Sequence, residues 1–299
     1  MSLVEEALRK AKAAARTERE ELVDTSPVLE TGPGATRGAT SVATPRVPPV
    51  PDHFVQIDRS RLRTAGLLPP ARDEHRVATE FRALKRGLLM APGTQRDSRS
   101  GGSKVIMIAS ALAGEGKSFT AVNLALSLAA ERDWTVVLVD ADVAKPQLSA
   151  LLGLQGERGL LDALSSPKTP LSDVTWGTDV AGLHVVPAGH ASKTATELLA
   201  SSRMRDLIGE ARDFDRRTVF LFDSPPVLVT SESRALADVV GQIVLVVAAD
   251  ATPRTAVLQA ITALGEGRNI SLVLNQFKAS LFEPYYYGER YGRAESDAV

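Results

Sequence analysis

Short runs of apolar residues alternate with longer amphipathic stretches across the last two thirds of the chain. Six runs have the length and composition of buried strands, which predicts strands at residues 104–110, 135–140, 183–187, 218–223, 242–248 and 270–274. Helical spacing between them predicts helices at residues 117–131, 146–152, 196–212, 232–238 and 254–265. This alternation predicts a doubly wound α/β domain with a mostly parallel sheet, in which the carboxyl ends of the strands share one edge.

The chain before this domain has a different character. Residues 1–20 have the pattern of an amphipathic helix that begins with a capping box of Ser2 and Glu5, and its thin apolar stripe suits either a solvated helix or docking on a partner or membrane. Residues 21–72 are rich in Pro, Thr and Ser, and eight of the 17 prolines lie between positions 22 and 70. Such a composition predicts a disordered linker or arm, because little apolar surface is available to offset the entropy of ordering.

The ordered domain is expected to cover residues 73–280 and to begin with another helix. The apolar positions of that helix are Val77, Phe81, Leu84 and Leu88. Basic residues, among them Arg82 and Lys85, occupy an adjoining face. That face suits either solvent or a contact with another subunit.

Composition excludes several classes of site. The chain of 299 residues carries a net charge of −1 with both signs intermixed, which gives no indication of nucleic-acid binding. It contains no cysteine, which excludes disulfides and thiolate metal sites, and its four histidines have no ligand spacing. No apolar run is long enough to span a bilayer and the N-terminus lacks a signal-peptide core, so we expect a cytoplasmic protein.

A glycine loop joins the first long strand to the helix after it. Its residues are Gly114, Glu115, Gly116, Lys117 and Ser118. Such a loop directs backbone N–H groups at an anion, the following helix adds its dipole, the lysine reaches phosphate oxygens and the serine hydroxyl ligates Mg²⁺. The spacing of a full phosphate-binding loop would place its first glycine at position 111, which is alanine.

Three carboxylates follow two of the predicted strands. Asp140 and Asp142 end one apolar run, and Asp223 ends another, before Ser-Pro-Pro. Each alone could be a helix cap or a turn residue. Together with the glycine loop at one edge of the sheet, they predict a magnesium–nucleotide site.

All four tyrosines of the chain lie close to its C-terminus. They are Tyr285, Tyr286, Tyr287 and Tyr291. Packing does not explain this enrichment, because the core positions use Val, Leu and Ala. The flexible tail, residues 281–299, is therefore either a phosphoacceptor or an aromatic docking peptide.

With these motifs, residues 73–291 resemble the bacterial tyrosine kinases (BY-kinases) of polysaccharide biosynthesis and export, whose P-loop NTPase fold is MinD/ParA-like. The segments 139–146 and 1–8 are most similar to those of the exosortase-associated tyrosine autokinases. The resemblance implies ATP-dependent phosphorylation of the tail tyrosines, in a neighbouring subunit, with regulation of exopolysaccharide or capsule synthesis. It makes the loop at 114–118 the Walker A motif, the segment at 140–142 a Walker A′ motif and the segment at 223–226 Walker B.

The resemblance also implies roles for single residues. The ATP-binding residues would be the loop itself, Phe119 and Asn275, the last of which would recognise adenine unless it is only a turn residue. Lys117 would stabilise the transferred phosphoryl group. Asp142 would be the base, and Ser118, Asp140 and Asp223 would hold Mg²⁺, although the roles of Asp140 and Asp142 can be exchanged.

An oligomerisation motif of the family falls near Arg82 and Lys85, with its glutamate displaced to Glu80. The implied activator is a membrane-embedded protein that determines polysaccharide chain length, which would bring the kinase to the inner membrane. Two other functions remain open. One is a MinD/ParA-type ATPase switch, and the other is a regulatory protein that binds nucleotide without transferring phosphate.

Overall fold

The computed structural model describes residue 51 and residues 53–90, 104–214 and 217–277. The predicted N-terminal helix, most of the predicted linker and the tyrosine tail lie outside these residues. The structure confirms the fold class that the hydrophobic pattern predicts.

An eight-stranded sheet forms the centre of the described residues, with strand order β1-β4-β5-β3-β6-β2-β7-β8. Its strands are β1 (His53–Val55), β2 (Lys104–Ser110), β3 (Thr135–Asp140), β4 (Trp176–Thr178), β5 (Leu183–Val186), β6 (Thr218–Asp223), β7 (Gln242–Ala248) and β8 (Ile270–Asn275). Every neighbouring pair is parallel except β4 and β5. The carboxyl ends of β2, β3, β6 and β8 therefore meet at one edge of the sheet.

Helices cover both faces of this sheet. They are α1 (Arg59–Thr64), α2 (Glu74–Met90), α3 (Lys117–Ala129), α4 (Gln147–Leu151), α5 (Leu160–Ser165), α6 (Ala195–Leu199), α7 (Ser202–Arg212), α8 (Glu232–Ala237) and α9 (Arg254–Leu264). Side chains of α1 to α4 join one hydrophobic cluster with one face of the sheet, and those of α5 to α9 join a second cluster on the other face. Two short 3₁₀ turns, Ala71–Asp73 and Leu171–Val174, complete the secondary structure of the described residues.

All six predicted strands are present, and the structure adds β1 and β4. These two strands have only three residues each, too few to show an alternating pattern. The helix predicted at residues 196–212 is two helices, because Ser201 has an extended backbone and its hydroxyl accepts a hydrogen bond from the Met204 N–H, which starts a new helix. Helix α5 was not predicted.

The prediction of a linker up to residue 72 is wrong for its last part. Residues 53–72 form β1, α1 and a 3₁₀ turn, and Asp58 caps α1 by accepting from the Arg61 N–H. The buried apolar side chains of this segment are Ile57, Leu62, Leu67 and Leu68. The prolines dominate the average composition of the region, and this average hides four apolar residues that suffice to dock a short segment on the sheet.

Helix α2 packs against α3. Val77, Phe81 and Leu88 are buried as predicted, and the rings of Phe81 and Phe119 have their centroids 6.0 Å apart. Because Phe119 belongs to the first turn of α3, α2 supports the helix that carries the glycine loop.

Candidate functional site

The glycine loop turns sharply between β2 and α3. Gly114 and Gly116 have φ angles of +83° and +92°, a conformation that favours glycine. A Cβ atom at Gly116 would lie 1.9 Å from Asn275 Nδ2, so a side chain there would displace the Asn275 amide from the loop. The loop and the N-terminus of α3 thus form the kind of cradle that binds phosphate through backbone N–H groups.

Side chains from distant parts of the chain hold this loop in place. Asn275 Nδ2 donates to the Glu115 carbonyl at 2.9 Å, and Gln276 Nε2 donates to the Gly114 carbonyl at 2.8 Å. The Glu115 side chain is buried and accepts from the Leu112 N–H at 2.6 Å and from the Thr252 hydroxyl. The loop is therefore fixed from the β8 side and from the connection between β7 and α9.

The Lys117 ammonium lies among the three predicted carboxylates. Its Nζ atom is 3.0 Å from Asp142 Oδ2 and 3.8 Å from Asp223 Oδ1. Burial acts to lower the pKa of Lys117, but the negative charges of Asp223, Asp142 and Asp140 outweigh it, and the pKa of the ammonium is raised. Lys117 is thus a permanent cation at neutral pH.

Asp140 is held on both carboxylate oxygens. Its Oδ2 atom accepts from the N–H and the hydroxyl of Ser149 at 2.8 and 2.7 Å, and Oδ1 accepts from the Asp142 N–H at 3.3 Å. Burial raises the pKa of Asp140 to about 7, against the hydrogen bonds from Ser149, and the nearby charge of Asp223 adds to the rise. This carboxyl group therefore changes its charge close to neutral pH.

Asp223 is fully buried at the end of β6. Burial raises its pKa to about 6, although the Lys117 charge opposes the shift. Its Oδ1 atom is buried and has no hydrogen-bond partner among the described residues. A buried oxygen with unused acceptor capacity is a fitting ligand, direct or through water, for a hard cation such as Mg²⁺.

These residues line one cavity of about 520 Å³. The predicted ATP-binding, catalytic and metal-binding residues that line it are Gly114, Gly116, Lys117, Ser118, Phe119, Asp140, Asp142, Asp223 and Asn275. Among the described residues the exception is Glu115, whose side chain points away from the cavity and whose backbone alone belongs to the loop. The described residues contain no group of three or more His, Cys, Asp or Glu side chains that could hold a metal alone. Mg²⁺ does not need one, because it commonly combines one or two protein ligands with water and substrate phosphates.

The sequence is similar to that of bacterial tyrosine kinases. It is 32% identical over 191 residues to the tyrosine-protein kinase YwqD of Bacillus subtilis, a match that covers 62% of this chain and 78% of YwqD. The chain belongs to the bacterial tyrosine-protein kinase family. The putative tyrosine-protein kinase CapB of Staphylococcus aureus is 25% identical over 214 residues, covering 71% of this chain and 89% of CapB.

Solved kinase domains agree with this family, and a family model agrees with the P-loop fold. The kinase domain of VpsO superimposes with a TM-score of 0.58 at 28% identity, covering 70% of this chain and all of that domain. The kinase domain of the Escherichia coli tyrosine kinase ETK gives 0.59 at 27% identity, covering 71% of this chain and 80% of the ETK chain. A ParA family model, described as NUBPL iron-transfer P-loop NTPase, matches residues 102–244.

Some kinase residues were not anticipated from the sequence. Gly66 and Leu67, from the segment predicted as linker, line the cavity, and so does Gln276. Ser149, which holds Asp140, and Thr252, which binds Glu115, are further supporting residues. For Gly66 and Leu67 the available sequence signal was the helix cap at Asp58 and the pair of leucines at positions 67 and 68.

The assignment of Lys85 to a subunit contact is wrong. Its side chain is buried, and Nζ donates to the Ser127 carbonyl at 2.9 Å and pairs with Glu131 Oε1 at 2.6 Å. Lys85 thus caps the C-terminal end of α3 within its own chain. Arg82 is exposed and its guanidinium donates to the Thr79 hydroxyl, so it stays a predicted subunit contact.

No helix in the described part of the chain has the length and apolar character that a membrane span requires. The tail tyrosines Tyr285, Tyr286, Tyr287 and Tyr291 lie outside the described residues.

Proposed function

We propose that this chain is an ATP-dependent protein-tyrosine autokinase that phosphorylates its own C-terminal tyrosines, with a tail entering the site of a neighbouring subunit. The observation that carries the proposal is the convergence of Lys117, Ser118 and three carboxylates around one phosphate-binding loop, in a chain whose family transfers phosphate to tyrosine. The acceptors are Tyr285, Tyr286, Tyr287 and Tyr291, about ten residues beyond β8.

Each side chain has a part in the transfer. The Lys117 ammonium and the loop N–H groups bind the β- and γ-phosphates and stabilise the charge on the transferred group. A phenol is a weak nucleophile at neutral pH, so Asp142 accepts its proton as the oxygen attacks. Asp142 is more accessible than Asp140, with exposed fractions of 9% and 1%.

The remaining residues of the cavity would contact the metal and the adenosine of ATP. Ser118, Asp140 and Asp223 would hold Mg²⁺ directly or through water. When bound, Mg²⁺ neutralises phosphate charge and favours departure of the diphosphate. Phe119 and Asn275 would border the adenosine, although the Asn275 amide also donates to the Glu115 carbonyl.

The cellular role that we propose is inferred from the named functions of related proteins. ExoP of Rhizobium meliloti, a succinoglycan biosynthesis transport protein, is 32% identical over 209 residues, a match that covers 64% of this chain and 25% of ExoP. We propose that the kinase regulates exopolysaccharide or capsule synthesis and export. Its activator would be a membrane-embedded chain-length determinant, which would place the kinase at the inner membrane.

The test is incubation of the purified chain with ATP and Mg²⁺, followed by mass spectrometry of the tail and measurement of free phosphate. Phosphotyrosine on the tail is expected, and Lys117→Met should abolish it while the fold is retained. The variant with all four tyrosines changed to Phe should bind ATP with unchanged affinity and remain unlabelled. Release of free phosphate without phosphotyrosine would instead indicate an ATPase switch of the ParA type.

A further inference from the structure

The cavity has two sides that differ in chemistry. The strand order places the end of β3 on one side of the glycine loop, which follows β2, and the end of β8 on the other. The β8 side presents the amides of Asn275 and Gln276. The β3 side presents the carboxylates of Asp140 and Asp142.

The segment at residues 53–70 enters from the β3 side. Strand β1 is the edge of the sheet opposite β8, and the Ile57 N–H donates to Asp179 Oδ1 at 2.8 Å near that edge. Helix α1 then lies against α4, because Arg61 Nη2 donates to the Ala150 carbonyl at 2.7 Å. The turn that follows α1 therefore reaches the cavity beside α4 and not beside β8.

This turn is fixed on the helix that carries the glycine loop. Gly66 has a φ angle of +76°, and the Leu67 N–H donates to the Leu62 carbonyl at 2.8 Å. The Leu67 carbonyl accepts from Asn123 Nδ2 at 2.9 Å, and the same amide donates to the Phe119 carbonyl at 2.7 Å. Leu67 is thus presented at a defined position beside the first turns of α3.

Leu67 and Leu148 are the apolar side chains on this side of the cavity, whose lining here also includes Lys145, Gln147 and the acidic groups. Gly66, Leu67 and Leu148 line the cavity together with Asp142 and Lys117. An apolar wall that leads to a carboxylate and a phosphate-binding lysine fits an amphipathic aromatic group, whose ring packs on the wall and whose hydroxyl reaches the acidic end. A nucleoside base is better matched by the amides on the β8 side.

We propose that Leu67 and Leu148 form the ring-binding wall of the acceptor subsite, so that the segment before the P-loop core determines tyrosine binding. This proposal rests on the proposed kinase function. The phenolic oxygen bonds to the γ-phosphorus, the bond from that phosphorus to the β–γ bridging oxygen breaks, ADP leaves, and the phenolic proton passes to Asp142.

Leu68 provides a matched control. Leu67 and Leu68 are neighbours in one hydrophobic cluster and have exposed fractions of 7% and 8%, but only Leu67 lines the cavity. Replacement of either by alanine removes the same atoms from the same cluster. A purely structural role predicts equal effects on activity, whereas the acceptor subsite predicts an effect of Leu67 alone.

The experiment uses the full chain with its four tail tyrosines changed to Ala, and a peptide of residues 283–292 as acceptor. Kinetics with ATP and Mg²⁺ give the KM and kcat for the peptide. Calorimetry gives the Kd for ATP, and fluorescence anisotropy of a labelled peptide gives peptide affinity without phosphoryl transfer. The substitutions in this background are Leu67→Ala, Leu67→Met and Leu68→Ala.

Leu67→Ala should raise the KM and Kd for the peptide about tenfold, the effect of removing apolar contacts from a binding pocket. Its Kd for ATP should stay within about twofold. Leu67→Met should restore most of the peptide affinity, and Leu68→Ala should leave it unchanged. Equal effects of the two alanine variants, or weaker ATP binding with unchanged peptide binding, would overturn the acceptor subsite.

The two proposals fail in different ways. A parent chain that binds the peptide through Leu67 and never phosphorylates it would refute the kinase function and uphold the subsite. If the parent chain phosphorylates the peptide and the Leu67→Ala variant does so equally well, the kinase function is upheld and the subsite is refuted.

Discussion

Asp223→Asn should stabilise the protein in the absence of nucleotide and metal while removing its kinase activity. The Asp223 carboxylate is fully buried, and burial raises its pKa from 3.8 to about 6. A folded-state pKa above the unfolded one means that ionisation opposes folding. The stability that the protonated carboxyl group allows is fully present below pH 3.8 and is lost as the pH rises through about 6, where the folded protein releases the proton.

The shift sets the size of the effect. A difference of about two pKa units corresponds to about 3 kcal/mol once the carboxyl group is ionised in both states. Asparagine keeps the shape of the side chain and carries no charge. The variant should therefore gain about 3 kcal/mol at pH 8 and about half of that at pH 5, where the folded protein still holds the proton.

Urea unfolding at pH 5 and pH 8, with EDTA present, measures both values. Asp206→Asn, on the exposed side of α7, is the control and should change the midpoint little at either pH. Most substitutions destabilise a protein, so a gain in stability that grows with pH would identify the removed charge as its cause. An Asp223→Asn variant that is less stable than the parent at pH 8 would refute the electrostatic reasoning.

Three further predictions follow from contacts around the site. Lys85→Met should destabilise the fold by about 1–3 kcal/mol, because the end of α3 loses a charged donor. Arg82→Ala should instead leave the unfolding midpoint unchanged and weaken self-association. Urea unfolding and light scattering of both variants separate the structural role from the subunit contact. Asn123→Ala should cost about 1–3 kcal/mol by leaving the Leu67 carbonyl without its donor, and hydrogen exchange should show faster opening of residues 65–68; unchanged exchange would contradict it. Because burial raises the pKa of Asp140 to about 7 in the metal-free site, the apparent affinity for Mg²⁺ should rise between pH 6 and 8 as the carboxyl group loses its proton, and an affinity that does not change with pH would show that its charged form does not hold the metal.

The hydrophobic pattern predicts the other six strands because apolar residues predominate in each of them. Strands β1 and β4 have three residues each, and their pairing depends on neighbours that no local pattern reveals. The same limit explains the error over residues 53–72. Composition describes a region as a whole, whereas docking depends on a few residues such as Leu62, which is 1% exposed.

The error over Lys85 has a different cause. Its position is four residues after Phe81 and eight after Val77, which places it on the buried face of α2 by helical spacing alone. The match to an oligomerisation motif favoured a subunit contact, and the periodicity was the better guide. What the sequence does not show is the partner, because Glu131 lies 46 residues further along the chain.

The fold places acidic side chains close together in a buried position, which destabilises the protein but suits the binding of a cation. Strands β3 and β6 pair in parallel so that Asp140 and Asp223 are direct partners in the register. Each strand alone predicts a carboxylate at its end, and only the register shows that two negative charges are placed side by side in a buried position. Lys117 offsets part of this repulsion, and Mg²⁺ with bound phosphates would complete the balance. A protein selected for stability alone would not retain this arrangement, so the raised pKa values of both carboxyl groups are themselves an argument that the edge of the sheet binds a cation.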